Sequence, residues 1–166
     1  MTITVGDSLP EAAFLVMTDD GPKEVSLSGL SARGPLVLFG LPGAYTPTCH
    51  SAHLPSFIRT RDRLAEAGVA TVACVSVNDP FLMRHWGEST GALAAGIEML
   101  ADPEARFVTE IGLVFSAPTV GFINRSQRFS LLAEGGVVRQ LNVEEPGAGC
   151  VISAGETLLD RLRKAA

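Results

Sequence analysis

Two stretches of the chain, PLVLFG at 35–40 and VATVACVSV at 69–77, are almost wholly apolar and rich in β-branched residues. Short runs without polar alternation are the pattern of strands covered on both faces, as in a parallel sheet. Between them, Thr48–Ala67 carries apolar residues at helical spacing, so the three segments predict a βαβ unit. Asn78-Asp79-Pro80 supplies a cap followed by proline in a first turn, which predicts a second helix from Pro80 to Ala94. A short strand, Ile97–Ala101, follows it.

Asp102-Pro103 opens another helix to about Ile111, and Thr119–Ile123 reads as a strand after Pro118. Arg128–Ala133 and Val137–Val143 flank Glu134-Gly135-Gly136, an antiparallel hairpin signature. Ser153-Ala154-Gly155-Glu156 fits a capping box for a closing helix, Gly155–Lys164, with Leu158, Leu159 and Leu162 on one face. Alternating elements that end in a hairpin and a helix predict an α/β protein. The expected fold is a thioredoxin-like sandwich, a central mixed sheet flanked by helices, although periodicity alone does not separate it from a flavodoxin-like sheet.

Composition narrows the function more than the fold. At 166 residues, with no repeat and no Pro/Ser-rich linker, the chain is expected to form one domain over 1–166. Thirteen basic residues against 18 acidic ones leave a net charge of −5, which provides no basic face for nucleic acid or for an anionic membrane. The amino terminus lacks the basic and long apolar regions of a signal peptide, and no apolar run approaches the ~18 residues of a membrane helix. A cytoplasmic location is therefore expected. Three cysteines are too few for a disulfide framework, and in a reducing compartment their interest lies in reactivity.

The stretch that carries chemistry is Leu41-Pro42-Gly43-Ala44-Tyr45-Thr46-Pro47-Thr48-Cys49-His50, where the first buried strand gives way to its crossover helix. Ligand sites of open α/β sheets favour this position. Two prolines and a glycine stiffen the loop, and Cys49 falls in the first helical turn, where unpaired N–H groups and the helix dipole favour a thiolate. The Thr46 and Thr48 hydroxyls add hydrogen-bond donors. The competing reading is a small apolar residue packing a helix start, since free cysteines are among the most buried residue types. Cys49 and His53 share a helix face, but no acidic ligand or second cysteine accompanies them, so neither a metal nor another cofactor is expected. Asn78 and Asp79 are best explained as a helix cap.

PGAYTPTC, followed by HLPSF at 53–57, resembles the active-site loop of the peroxiredoxins, Pro-x-x-x-Thr-x-x-Cys, with Pro42, Thr46 and Cys49 at the matching positions. ACVSVNDPF at 73–81, LADP at 100–103, RFSLL at 128–132 and LNVE at 141–144 are similar to the type II, or peroxiredoxin-five, branch. The resemblance covers roughly residues 3–162. It implies a thioredoxin fold and a thiol peroxidase acting on hydrogen peroxide and organic hydroperoxides. Cys49 would be the nucleophile, cycling through a sulfenic acid.

By the same resemblance Arg128 is the guanidinium at the site, the Thr46 hydroxyl a hydrogen-bond donor to the peroxide beside the Cys49 N–H, and Pro42 the wall against solvent. Arg125 would face the opposite side if both arginines lay on one strand. Tyr45 stands where phenylalanine is usual in this branch, His50 where many relatives have serine, and His53 matches a usual histidine. The resemblance also implies a homodimer.

How the sulfenic acid is resolved stays open at this point. Cys74 lies in a predicted buried strand. Cys150 follows the glycine-rich Pro146-Gly147-Ala148-Gly149, but family members that resolve from this region place their cysteine over Ile152. The favoured expectation is therefore regeneration by glutathione and glutaredoxin. The alternatives are a thioredoxin-dependent peroxidase resolved by Cys150, or a peroxide sensor that relays oxidation to a partner. A thioredoxin-like disulfide reductase is disfavoured because Cys-x-x-Cys is missing.

Overall fold

The structure is a computed structural model, and it describes residues 1–165. Its elements are β1 (Ala13–Thr18), β2 (Gly21–Ser26), α1 (Leu27–Ser31), β3 (Leu36–Gly40), a π turn (Cys49–His53) leading into α2 (Leu54–Glu66), and β4 (Thr71–Ser76). Then come α3 (Pro80–Thr90), β5 (Ile97–Ala101), α4 (Arg106–Glu110), β6 (Val114–Ala117), a 3-10 turn (Pro118–Val120), β7 (Phe122–Ser126), β8 (Phe129–Glu134), β9 (Val137–Val143) and α5 (Gly155–Ala165).

Seven strands form one sheet in the order β2-β1-β5-β4-β3-β8-β9, and β6 and β7 form a separate ribbon. β3, β4 and β5 run parallel, and both flanking pairs are antiparallel. This is the expected mixed sheet flanked by helices, in a thioredoxin fold. The three parallel strands are the near-continuous apolar runs because both of their faces are covered. Val37, Phe39 and Cys74 belong to the core under α2, α3 and α5, whereas Leu36, Leu38, Ala73 and Val75 belong to the core on the opposite face. Gly40, at the end of β3, admits no side chain, since a Cβ there would stand 2.1 Å from the ring of Phe129.

The first hairpin, β1–β2, was not expected from the sequence, because GPKEVS offers a strand face with little apolar character. The expected strand Thr119–Ile123 is corrected to a turn at Pro118–Val120 followed by β7, with Gly121 in the left-handed region (φ 77°) between them. Proline lacks a ladder donor and carries a fixed φ, so it starts the turn rather than the strand. The second helix ends at Thr90, earlier than Ala94, because Gly91 takes a left-handed cap (φ 81°). The third begins only at Arg106, whose N–H donates to Asp102 Oδ1 (3.0 Å).

The capping box proposed for the last helix does not form. The Ser153 hydroxyl donates to Glu144 Oε1 (3.0 Å), and Glu156 is engaged by Arg59 Nε (2.9 Å). The start of α5 instead crosses α2 closely, with the Gly155 N–H donating to Ser56 Oγ (2.9 Å). A Cβ on Gly155 would lie 2.7 Å from the Ser56 carbonyl oxygen, so only glycine fits this crossing. No helix among the described residues is long and apolar enough to cross a membrane.

Candidate active site

Residues 41–48 leave the carboxyl end of β3 and turn back over the sheet before the helix begins. Asn78 Oδ1 holds this loop by accepting from the Ala44 N–H (3.0 Å) and the Ser76 hydroxyl (2.7 Å). The helix cap is Asp79 alone, which accepts from the Leu82 N–H (2.8 Å). The shared cap role expected for Asn78 is thus corrected: its side chain reaches across to the loop instead.

Arg125 supports the loop from another side, its Nη1 donating to the carbonyls of Val77 (2.9 Å) and Pro42 (3.4 Å). A Cβ on Gly43 would approach that nitrogen to 3.1 Å, so the glycine makes room for the guanidinium. Arg125 and Arg128 do not share a strand. Arg125 lies in β7 of the small ribbon, and Arg128 immediately precedes β8 of the main sheet.

Arg128 Nη1 donates to Cys49 Sγ at 3.3 Å. The sulfur belongs to a residue only 1% exposed, within the core under α2 and α3. Cys49 opens the π turn, whose defining bond runs from the Leu54 N–H to the Cys49 carbonyl. Such turns are rare and recur at functional sites. The donor role expected for Thr46 is corrected: its hydroxyl donates to the Gly43 carbonyl (2.7 Å), which leaves its oxygen lone pairs as acceptors. Pro42 and Arg128 line a cavity of about 160 Å³ with Phe115, Gln127, Glu144 and Pro146. Arg128 therefore touches Cys49 and shares a cavity wall with Pro42, and Thr46 lies in the loop between Pro42 and Cys49.

His53, one turn beyond Cys49, is fully buried. Burial, then the nearby Arg128 charge, pushes its imidazole down to about 3, against the Ser153 carbonyl that favours the cation. It is therefore neutral, with Nε2–H donating to the Ser153 carbonyl at 3.2 Å. Phe39 and Phe57 pack on its ring edge-on, at centroid distances of 5.3 and 5.6 Å.

The other two cysteines are both pushed toward the protonated thiol. Burial in β4, and then the neighbouring Cys49 sulfur, push the Cys74 thiol well up. Burial also raises the half-buried Cys150, although Ser153 and Arg128 act in the opposite direction. Cys150 sits in the loop between β9 and α5, which Glu144 ties down. Glu144 Oε1 accepts from the Val151 N–H (2.6 Å) and the Ser153 N–H (2.9 Å).

In this thioredoxin fold a cysteine stands at a helix start against a guanidinium. The Redoxin family model matches residues 4–159. The chain is 44% identical over 161 residues to chloroplastic peroxiredoxin-2E-2 of Oryza sativa subsp. japonica, covering 95% of this chain and 72% of that protein. Peroxiredoxin-2C of the same organism is 38% identical over 157 residues, covering 94% and 96%. Reduced Prx3 from Vibrio vulnificus, solved in complex with H2O2, superposes with a TM-score of 0.91 at 41% identity, covering 97% and 99%. The chain belongs to the Redoxin family, and within it to the peroxiredoxins, a family of thiol peroxidases.

Proposed function

We propose that this protein is a type II peroxiredoxin that reduces hydrogen peroxide and small organic hydroperoxides in the cytoplasm, with Cys49 as nucleophile and glutathione and glutaredoxin as reductant. The observation that carries the reading is the 3.3 Å contact between Cys49 Sγ and Arg128 Nη1 at the helix start. The sulfur attacks one peroxide oxygen, the S–O bond forms as the O–O bond breaks, and the departing oxygen takes a proton to leave as water or alcohol. Cys49 is oxidised by two electrons to the sulfenic acid and the peroxide is reduced by two.

Charge builds on the oxygens as they separate, and fixed donors act most strongly there. Arg128 and the Cys49 N–H are assigned that task. Thr46, its proton already given to the Gly43 carbonyl, accepts the O–H of the incoming hydroperoxide. Arg125 positions the loop through the Pro42 and Val77 carbonyls without touching substrate. The cavity of about 160 Å³ beside Arg128 has room for a small organic substituent.

An external thiol then attacks the sulfenic sulfur, forming a mixed disulfide and releasing water, and a second thiol restores Cys49 as a disulfide departs. Two observations favour this route. Cys74 and Cys150 are both pushed toward the protonated thiol, and the thiolate is the attacking species. A thioredoxin-dependent cycle resolved by Cys150 has one observation of its own: the Arg128 charge acts on that thiol too. A homodimer is part of the proposal, supported by exposed Tyr45, Phe81, Val120 and Ile123 on elements that frame the site.

Mass spectrometry after one equivalent of peroxide, with glutathione present, tests the route. A glutathione adduct on Cys49 is expected, and a Cys49–Cys150 linkage would replace the external thiol with an internal one. Many turnovers per molecule separate an enzyme from a peroxide sensor.

A further inference from the structure

The cavity of about 160 Å³ has an apolar part and an acidic part. Pro42, Phe115 and Pro146 supply the first, and Glu144 and Glu145 the second. Local geometry fixes the acidic part. Glu144 stands opposite Arg128 at the end of the β8–β9 pair, its N–H donating to the Arg128 carbonyl (2.9 Å). Glu145-Pro146-Gly147-Ala148 then forms a tight turn, closed by the Ala148 N–H on the Glu145 carbonyl (2.9 Å). Proline second and glycine third, with Gly147 at a φ of 79°, are the residues a type II turn calls for. Burial works against the Glu144 charge, but the Ser153 and Val151 donors outweigh it, so Glu144 is a carboxylate at neutral pH. Glu145 is exposed beside it.

Cys49 does not line this cavity, and Arg128 joins the two. Its Nη1 donates to Cys49 Sγ (3.3 Å), and the same side chain forms part of the cavity wall. Its Nε is buried with no hydrogen-bond partner among the described residues, so the guanidinium keeps a donor for an incoming oxygen. In the reduction of an organic hydroperoxide, ROOH, the sulfur takes the terminal oxygen and the O–O bond breaks. The oxygen that departs is the one bonded to carbon; it takes a proton and leaves as the alcohol ROH, while the sulfur is oxidised by two electrons. Charge on that oxygen is met by Arg128, so the substituent R begins at the residue that walls the cavity. H2O2 carries no such substituent.

We propose that the cavity holds the substituent of an organic hydroperoxide, and that Glu145, with Glu144 beside it, selects against substituents that carry a carboxylate in favour of neutral or cationic ones. The inference rests on the peroxidase reading. A cavity of about 150 Å³ is enough to hold benzene, so a single aromatic ring or a short branched chain fits here. The ring packs on Phe115 and the prolines, and a group at its far end meets the acidic turn. A second carboxylate there is repelled by two fixed ones, more strongly than in open water because the apolar wall lowers the local dielectric. The net charge of −5 supplies no general attraction for anions that would offset this.

The test measures Cys49 oxidation by stopped flow with cumene hydroperoxide and with its para-carboxylate and para-aminomethyl derivatives, each rate divided by that of the same protein with H2O2. In the parent the carboxylate should react about threefold to tenfold more slowly than cumene hydroperoxide, the aminomethyl compound should not, and the gap should narrow as salt is raised. Glu145→Gln should shrink the gap and Glu145→Lys should abolish or reverse it. Glu145 is exposed, so both variants keep the core. Glu24→Lys makes the same charge change on β2, at the opposite edge of the sheet from β9, and should leave the gap as it is in the parent. Ala148→Phe, which puts a ring into the cavity, should slow all three organic substrates about fivefold or more relative to H2O2. A parent gap below about twofold, a gap that survives Glu145→Lys, an equal response to Glu24→Lys, or no effect of Ala148→Phe would overturn the inference and leave the peroxidase reading standing. Failure of H2O2 to oxidise Cys49 in the parent would overturn the peroxidase reading, and the inference with it.

Discussion

The guanidinium of Arg128 lies 3.3 Å from the sulfur of Cys49, although 79 residues separate them in the chain. β3 and β8 are antiparallel neighbours, with Gly40 opposite Phe129, so the loop leaving β3 and the residue entering β8 emerge at one end of the sheet. Replacing Arg128 by alanine should slow Cys49 oxidation on the order of 10²-fold, because a donor aimed at the separating oxygens is lost. Arg128→Lys should recover only part, since an ammonium does not reproduce the guanidinium fork. Stopped-flow oxidation rates decide this, and an alanine variant within twofold of the parent would remove Arg128 from the site.

His53 makes the fold acid-sensitive. Its imidazole titrates near 3 in the folded protein against 6.5 when unconstrained, so between these values the unfolded chain binds the extra proton. Its contribution is complete above about 6.5 and declines as the pH falls toward 3, at about 1.4 kcal/mol per pH unit. Denaturant unfolding from pH 7 to pH 4 should show this loss, and His53→Gln should flatten it. An unchanged slope in the variant would place the acid sensitivity elsewhere.

Glu144 is the anchor of the loop that carries Cys150. Burial works against its charge, but the Ser153 and Val151 donors outweigh it, so its carboxyl is held below the usual 4.5. Glu144 therefore stabilises the fold above about pH 4.5, and that contribution fades as pH falls from there toward the depressed value. Glu144→Gln should cost about 1–3 kcal/mol at pH 7 and speed amide exchange over residues 145–152. The difference from the parent should shrink below pH 4.5, and a constant difference would contradict the carboxylate's role.

Cys74→Ser/Cys150→Ser should keep most of its turnover with glutathione and glutaredoxin, because both thiols are pushed toward the protonated form. Steady-state peroxide consumption measures it. Loss of turnover in Cys150→Ser alone, with Cys49 trapped as sulfenic acid, would make Cys150 the resolving residue.

The parallel core was legible because strands covered on both faces leave dense apolar runs, as at 36–40 and 71–76. The β8–β9 hairpin was legible from Gly135-Gly136, both with positive φ. β2 was missed because the exposed edge strand GPKEVS leaves no such run, whereas β1, AFLVMT, carries one that was not read as a strand. At the site, the stiffened loop and Cys49 stood out in the residues themselves, and the signature positions of Pro42 and Thr46, like Arg128, entered through family resemblance. The supporting contacts were hidden for a common reason: Asn78 reaches Ala44, Arg125 reaches Val77 and Glu144 reaches Ser153 through tertiary geometry, and no local pattern encodes them. Asn78 was misread because it adjoins Asp79, which does cap α3.

The central claim is that Cys49 is the group peroxide oxidises, and comparing H2O2 consumption by the parent and by Cys49→Ser tests it most directly. With glutathione and glutaredoxin supplied, the parent should turn over many equivalents of peroxide, and Cys49→Ser should fall to the background of the thiols alone, since an alcohol supplies almost no anion near neutral pH. Retention of most of the parent's turnover by Cys49→Ser would contradict the account.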